Sequence, residues 1–241
     1  MFILRSLFVY LTAIIGYLFA SVLIRCARVF VKDKTRPFLV ATLHWAKAVL
    51  SSAGVSIKVK NKDNLKDLPK SVVFIANHAS YLDIPILAVS LPFGVRFIAR
   101  ENLFRAPFLG WIMRNSSHIP IERKGTKKTL KTMLETAQKV KNGLQVIIFP
   151  EGTRSPDGKV RHFKKGSLLI ASRAKAAIVP IAISGSHNIM PRHSFFLRPT
   201  KVTVTIGNPV EYFSGEKKQD QDEDLILENL RKDIVRMLKE E

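Results

Sequence analysis

The sequence predicts an α/β protein: a mixed sheet flanked by helices, joined to an N-terminal apolar helix or two-helix membrane motif. Three observations carry that prediction. Residues 1–55 consist of two long apolar runs broken by a basic connector. From residue 56 the pattern changes to short apolar runs alternating with helical periodicity. Several of those short runs end in a charged or hydrogen-bonding residue, as strands do where they meet a ligand. The chain therefore divides into an N-terminal membrane-associated helical segment, 1–55, and an α/β domain, 56–241. Its 241 residues suffice to bury an apolar core.

The first run is SLFVYLTAIIGYLFASVLI, 19 uncharged residues between Arg5 and Arg25. As a helix it would reach roughly 28 Å, close to the hydrocarbon thickness of a bilayer. A secretory signal is the competing reading, but nothing like Ala-x-Ala closes the run before Arg25. The second run, Pro37–Val55, is interrupted by His44 and Lys47 and offers Trp45 as an interface anchor. Either residues 6–24 span the membrane while the second helix packs on protein, or the two form a hairpin dipping into one leaflet. The connector RCARVFVKDKTR has five positive residues and one acid, which favours the cytoplasmic side. The expected location is a membrane's cytoplasmic face, the inner or plasma membrane if the source is bacterial.

Within the α/β domain the strand expectations are Val55–Lys60, Val72–Ala76, Val95–Ala99, His118–Ile121, Val146–Phe149, Ile178–Ile183 and Val202–Ile206. Thr126–Lys141 carries Leu130, Met133, Leu134, Ala137 and Val140 at helical spacing, and Asn142-Gly143 stops it. Glu223–Lys239 repeats the signal with Ile226, Leu230, Ile234 and Leu238. These stripes are core faces and receive no function. Asn61–Lys70 is polar and reads as a connecting loop.

Charge and cysteine content narrow the chemistry. The chain has 39 Lys and Arg against 19 Asp and Glu, for a net charge of +20. Residues 216–241 hold six of those bases and nine of the acids, so 33 bases and 10 acids belong to the rest. An anionic partner follows: anionic lipid, a phosphorylated metabolite or nucleic acid. Nucleic acid is disfavoured, because RNA-recognition aromatic motifs and zinc-finger spacings are absent. Cys26 is the single cysteine, which excludes an internal disulfide and any multi-thiolate metal site.

Three stretches carry chemistry. In ANHASYLDIPIL, His78 follows a predicted strand, and Asp83 lies about one turn into the next segment. There Asp83 can accept a hydrogen bond from the imidazole and fix its tautomer. Taken alone, the pair fits a structural histidine equally well. A zinc site lacks further ligands, and Ser80 lacks the Gly-x-Ser-x-Gly setting of a hydrolase nucleophile. In FPEGTRS, Gly152 permits close backbone approach, Arg154 offers a bidentate fork, and Thr153 and Ser155 add hydroxyls, a set suited to phosphate. The span from Gly152 to Gly158-Lys159 misses a nucleotide-binding P-loop, with five intervening residues and Val160 where Ser or Thr is required. Arg100 closes a third predicted strand, ahead of Pro107-Phe108-Leu109-Gly110-Trp111.

Together these stretches resemble the glycerolipid acyltransferase family, specifically its 1-acylglycerol-3-phosphate (lysophosphatidic acid) branch. The resemblance covers roughly residues 50–215 and keeps the family's motif order. Asn77-His78-x4-Asp83 matches the first block. Arg100 with Leu103, Pro107, Gly110 and Trp111 matches the second, Phe149 to Ser155 the third, and Ile178-Val179-Pro180-Ile181 the fourth. One departure concerns Ser116-Ser117-His118, where the family often has a glycine.

The resemblance implies transfer of a fatty acyl group from acyl carrier protein or coenzyme A to the free hydroxyl of lysophosphatidic acid, giving phosphatidic acid. His78 is then the base and Asp83 its orienter; Arg100 and Arg154 hold the substrate phosphate, and Glu151, Gly152 and Thr153 shape that pocket. No metal or organic cofactor is implied, the thioester being a co-substrate. The phospholipid membrane, the lysophosphatidic acid and the carrier protein or CoA thioester are the partners. Fourteen bases against three acids between Arg123 and Lys175 suit anionic headgroups or an acidic carrier. Rival acceptors are glycerol-3-phosphate, another lysophospholipid or a lyso-aminolipid. The rival from another class is a non-catalytic basic protein of the membrane surface.

Overall fold

A computed structural model describes residues 2–107, 109–122, 126–190, 194–211 and 219–240. The first apolar run is one helix, α1 (Phe2–Phe30), and a short turn leads into α2 (Arg36–Ser52). The two pack as a hairpin. Gly16 leaves room for the Trp45 ring, whose Nε1–H donates to the Ala13 carbonyl at 2.9 Å. Trp45 thus faces the seam between the helices instead of a lipid interface, because the indole N–H finds its acceptor there.

The chain then lays down β1 (Val55–Lys60), β2 (Val72–Ala76), α3 (Asp83–Ser90), β3 (Arg96–Arg100), α4 (Glu101–Arg105), α5 (Leu109–Asn115) and β4 (Ile119–Ile121). There follow α6 (Lys127–Lys141), β5 (Val146–Ile148), α7 (Leu169–Ala174), β6 (Ala177–Ser184), α8 (Ser186–Ile189), β7 (Thr200–Ile206) and α9 (Gln219–Lys239). The seven strands form one sheet in the order β1-β7-β6-β2-β5-β3-β4. Every pairing is parallel except β6 with β7, so the sheet is mixed. All seven expected strands are present, with ends displaced by no more than two residues. The expected loop at Asn61–Lys70 includes a short 3₁₀ turn, Lys62–Leu65.

Alternation along each strand splits the core in two. Val72, Phe74 and Ala76 face a cluster that includes Val49 and Leu50 of α2, Ala53 just after it and Val9 of α1. Val73 and Ile75 face Ala137 and Val140 of α6, Ile170 and Ala171 of α7, and Leu230 and Ile234 of α9. The first cluster therefore runs across residue 55, tying the helical hairpin to the sheet. Helix α6 begins as its sequence requires: Thr126 Oγ1 accepts the Thr129 N–H at 3.2 Å. It ends where Gly143 takes a φ of +105°.

The other face of α1 has no such cover. Ile3, Leu7, Phe8, Ile15 and Phe19 are all exposed, although the helix is long and apolar enough to cross a membrane. Both of its ends are nevertheless tied to the domain. Leu197 N–H donates to Ser6 Oγ at 2.9 Å, Tyr10 O–H donates to the Phe195 carbonyl at 2.6 Å, and the Arg25 guanidinium lies over the Trp111 ring at 5.1 Å.

Candidate active site

Strands β2, β5 and β3 are neighbours and parallel, so their C-terminal ends open on the same edge of the sheet. His78 follows β2, the Glu151 loop follows β5, and Arg100 closes β3. This topology unites three motifs that lie up to 76 residues apart in the chain.

The histidine is held from every side. Its Nδ1 lies 2.8 Å from Asp83 Oδ2, which also accepts the N–H groups of Ala79 and Ser80, each at 2.8 Å. Asp83 is fully buried. An oxygen that accepts two backbone donors already is a carboxylate acceptor, so the imidazole proton sits on Nδ1 and the Nε2 lone pair remains open for a proton. One imidazole face stacks on Phe149, with centroids 4.1 Å apart and planes 20° from parallel.

The backbone of His78 belongs to the β5 loop as much as to its own. His78 N–H donates to Glu151 Oε1 at 2.9 Å, and the His78 carbonyl accepts the Ser155 N–H at 2.7 Å. The second Glu151 oxygen accepts the Arg161 N–H at 3.1 Å. Glu151 is buried, and that burial pushes its carboxyl above the usual range while the two backbone donors pull it back. With both oxygens engaged by backbone, Glu151 joins the loop after β2 to the segment around Arg161.

The cations are arranged around the next residue. Arg100 Nη2 donates to the Gly152 carbonyl at 3.2 Å, so the second motif rests on the third. Gly152 has a φ of +69°, a conformation that penalises any other side chain. The Arg154 guanidinium stacks on Tyr81 at 3.4 Å, fixing its plane beside the histidine loop, and Thr153 is exposed between them. All seven predicted site residues therefore lie at or just beyond the C-terminal ends of three adjoining strands. Tyr81 and Phe149, to which the sequence assigns no role, supply the rings on which Arg154 and His78 stack. Their signal was the placement of an aromatic beside a base and a cation. Asn77 is the other addition: its buried amide donates to the Ile183 carbonyl at 3.0 Å and accepts the Ile183 N–H at 2.8 Å, pinning the end of β2 to β6.

Beside this edge lies an open apolar cavity of about 610 Å³, bounded by α1, α2, β3 and α5. Its lining includes Ala13, Ala41 and Trp45 from the hairpin. From the sheet side it reaches Ile84, next to Asp83, and Ala99 and Leu103, which flank Arg100. His118 stands at its inner wall. The turn before it runs through Ser117 with a φ of +56°, a left-handed conformation that side chains rarely adopt. His118 Nδ1 accepts the Phe97 N–H at 3.1 Å. Burial, reinforced by the nearby Arg96 charge, lowers its pKa to about 4, so the ring is neutral. Among the described residues no group of three His, Cys, Asp or Glu side chains is placed to hold a metal ion.

The family model for Acyltransferase matches residues 56–184, from β1 to the end of β6. The chain belongs to the Acyltransferase family. Curated relatives include a 1-acyl-sn-glycerol-3-phosphate acyltransferase of Chlamydomonas reinhardtii, 33% identical over 78% of this chain and 57% of the relative. A chloroplastic 1-acyl-sn-glycerol-3-phosphate acyltransferase of Arabidopsis thaliana is 36% identical over 62% of this chain and 43% of its own. The chain thus spans about half the length of these relatives. The crystal structure of the 1-acyl-sn-glycerophosphate acyltransferase PlsC from Thermotoga maritima superposes with a TM-score of 0.82 at 26% identity, covering 99% of this chain and 96% of that one.

Proposed function

We propose that this chain transfers a fatty acyl group from an acyl carrier protein or coenzyme A thioester to the free hydroxyl of 1-acylglycerol 3-phosphate, giving phosphatidic acid. The observation that carries the reading is the His78–Asp83 pair at 2.8 Å, opening on the same sheet edge as Arg100 and Arg154. The names of the relatives support the same acceptor.

In this reading the acceptor's phosphate lies between Arg100 and Arg154, which brings its hydroxyl within reach of His78 Nε2. The imidazole takes the hydroxyl proton as the oxygen attacks the thioester carbonyl. Asp83, buried beside the ring, stabilises the imidazolium that results. Collapse of the tetrahedral adduct breaks the carbon–sulfur bond, and the imidazolium returns its proton to the departing thiolate. The transfer is direct, without an acyl-enzyme, and calls for no metal or organic cofactor. The 610 Å³ cavity falls within the ordinary range for ligand pockets, about 300–1,000 Å³, and its apolar lining suits the transferred chain.

The exposed face of α1 lies in one leaflet in this reading. Its ties from Ser6 to Arg25 hold the helix along the domain, and detaching either end to span the bilayer would break them. The basic connector and the α/β domain then face the cytoplasm, where the thioester donor is found.

The deciding experiment compares phosphatidic acid formation by the full chain and by His78→Ala in lipid, with both donor types supplied. Loss of product by roughly 10²–10⁴-fold in the variant is expected of a general base. Equal product from both would sink the mechanism. If neither forms product from lysophosphatidic acid, supplying glycerol-3-phosphate, other lysophospholipids and lyso-aminolipids in turn identifies the acceptor.

A further inference from the structure

The segment that follows the Glu151 loop folds back against it. Arg161 N–H donates to Glu151 Oε2 at 3.1 Å, and Lys164 N–H donates to the Pro150 carbonyl at 3.0 Å. Between them Phe163 is 1% exposed, locked into the core beneath the sheet. With Phe163 turned inward, the next side chain turns outward, over Gly152. A Cβ on Gly152 would come within 3.3 Å of Lys164 Cδ, 3.1 Å of Cε and 2.8 Å of Nζ, so the lysine stem covers the glycine. The carbonyl of that same glycine accepts Arg100 Nη2 at 3.2 Å. Covalent dimensions then put the two cationic groups within about 10 Å of each other. Arg154 follows two residues later.

Among the described residues none of these three cations has a carboxylate partner. The nearby acids are engaged elsewhere: Asp83 with His78, Glu151 with backbone, Glu101 with Arg105 and Lys128, and Asp157 with Ser155. Like charges gathered without a counter-charge repel one another, and a multivalent anion between them removes the repulsion. The neighbouring Lys165 makes the contrast, since its ammonium pairs with Asp224 of α9 at 2.8 Å.

We propose that Lys164 is a third phosphate-binding cation of this site, and that Arg100, Arg154 and Lys164 together select a phosphomonoester dianion over a phosphodiester monoanion. The proposal rests on the acyl-transfer reading above and deepens it. A phosphomonoester carries about −1.5 to −2 charges at pH 7, its second ionisation falling near pH 6, whereas a diester carries one. A third cation therefore favours lysophosphatidic acid over lysophospholipids with a substituted phosphate.

The test is steady-state kinetics of the full chain in mixed micelles, with lysophosphatidic acid and lysophosphatidylglycerol of the same acyl chain as acceptors. Lys164→Gln should raise KM for lysophosphatidic acid about tenfold, with kcat nearly unchanged, the size expected for losing one charge-assisted contact. The monoester-to-diester preference should shrink by the same factor, and the rise in KM below about pH 6 should flatten. Lys164→Arg should retain most of the preference, and Lys165→Gln should behave as the unaltered chain. If Lys164→Gln leaves KM and preference intact while Arg154→Gln raises KM, the phosphate site stands and Lys164 has no part in it. A fall in kcat at constant KM would equally overturn the proposal, because the lysine would then act through loop structure. If neither variant alters KM, the phosphate lies elsewhere, and the phosphate site falls together with the part of Lys164 in it, while acyl transfer itself stands on the product formed.

Discussion

His78 and His118 stand at strand ends of one sheet, yet their Nδ1 atoms meet opposite partners. His78 Nδ1 faces a carboxylate oxygen at 2.8 Å, and His118 Nδ1 faces the Phe97 backbone N–H at 3.1 Å. The first partner demands a proton on Nδ1 and welcomes a positive ring. The second demands a lone pair there and resists a positive ring, as does the Arg96 charge. Neighbouring groups, far more than residue type, thus decide which tautomer each histidine holds.

Inverting the partner of the first histidine should have the largest effect. In Asp83→Asn the side chain presents either a weaker acceptor or an amide donor to Nδ1, so the imidazole loses its tautomer and its counter-charge. A loss in kcat of roughly 10³–10⁴-fold is expected, with KM little altered. A loss below tenfold would mean that Asp83 only caps its loop.

The second histidine should reveal itself in stability against pH. Its folded pKa, about 4, lies below the ordinary value of 6.5, so the unfolded chain binds more protons between those values. Stability is therefore full above pH 6.5 and declines as pH falls towards 4, by about 3 kcal/mol from this group. Thermal unfolding between pH 4 and 7 should show a shallower decline in His118→Asn, which keeps an acceptor for Phe97 N–H and lacks the titration. Parallel profiles would place the neutral state of His118 in doubt.

The region around His78 was legible because its chemistry is local. His78, Asp83 and the seven residues Phe149 to Ser155 declare themselves by type and spacing, and β1 and β2 match their predicted ranges residue for residue. Helices α4, α5 and α7, of five to seven residues, are too short to display a period. The sheet order was hidden too, because the antiparallel β7 lies between β1 and β6, which are more than 100 residues apart. The stack of Arg154 on Tyr81 and the inward turn of Trp45 depend on that same tertiary arrangement. Around His118 almost nothing was legible: the cavity exists only where α1 and α2 meet β3 and α5, and no local pattern encodes an empty space.

The smallest effect concerns that space. Ala41 lies on α2 and contributes to the cavity wall opposite β3, so Ala41→Phe would fill part of it without touching the sheet edge. Donors carrying long chains would lose binding there while short ones kept theirs. With the acceptor held constant, the ratio of kcat/KM for long over short acyl thioesters should fall about tenfold, the discrimination an apolar pocket gains from a methylene or so. A uniform loss across all donors would separate the cavity from the acyl chain. Should the dependence on the acceptor's chain move instead, the cavity holds that chain, and the neutral ring of His118 then lines the lysolipid's berth and not the donor's.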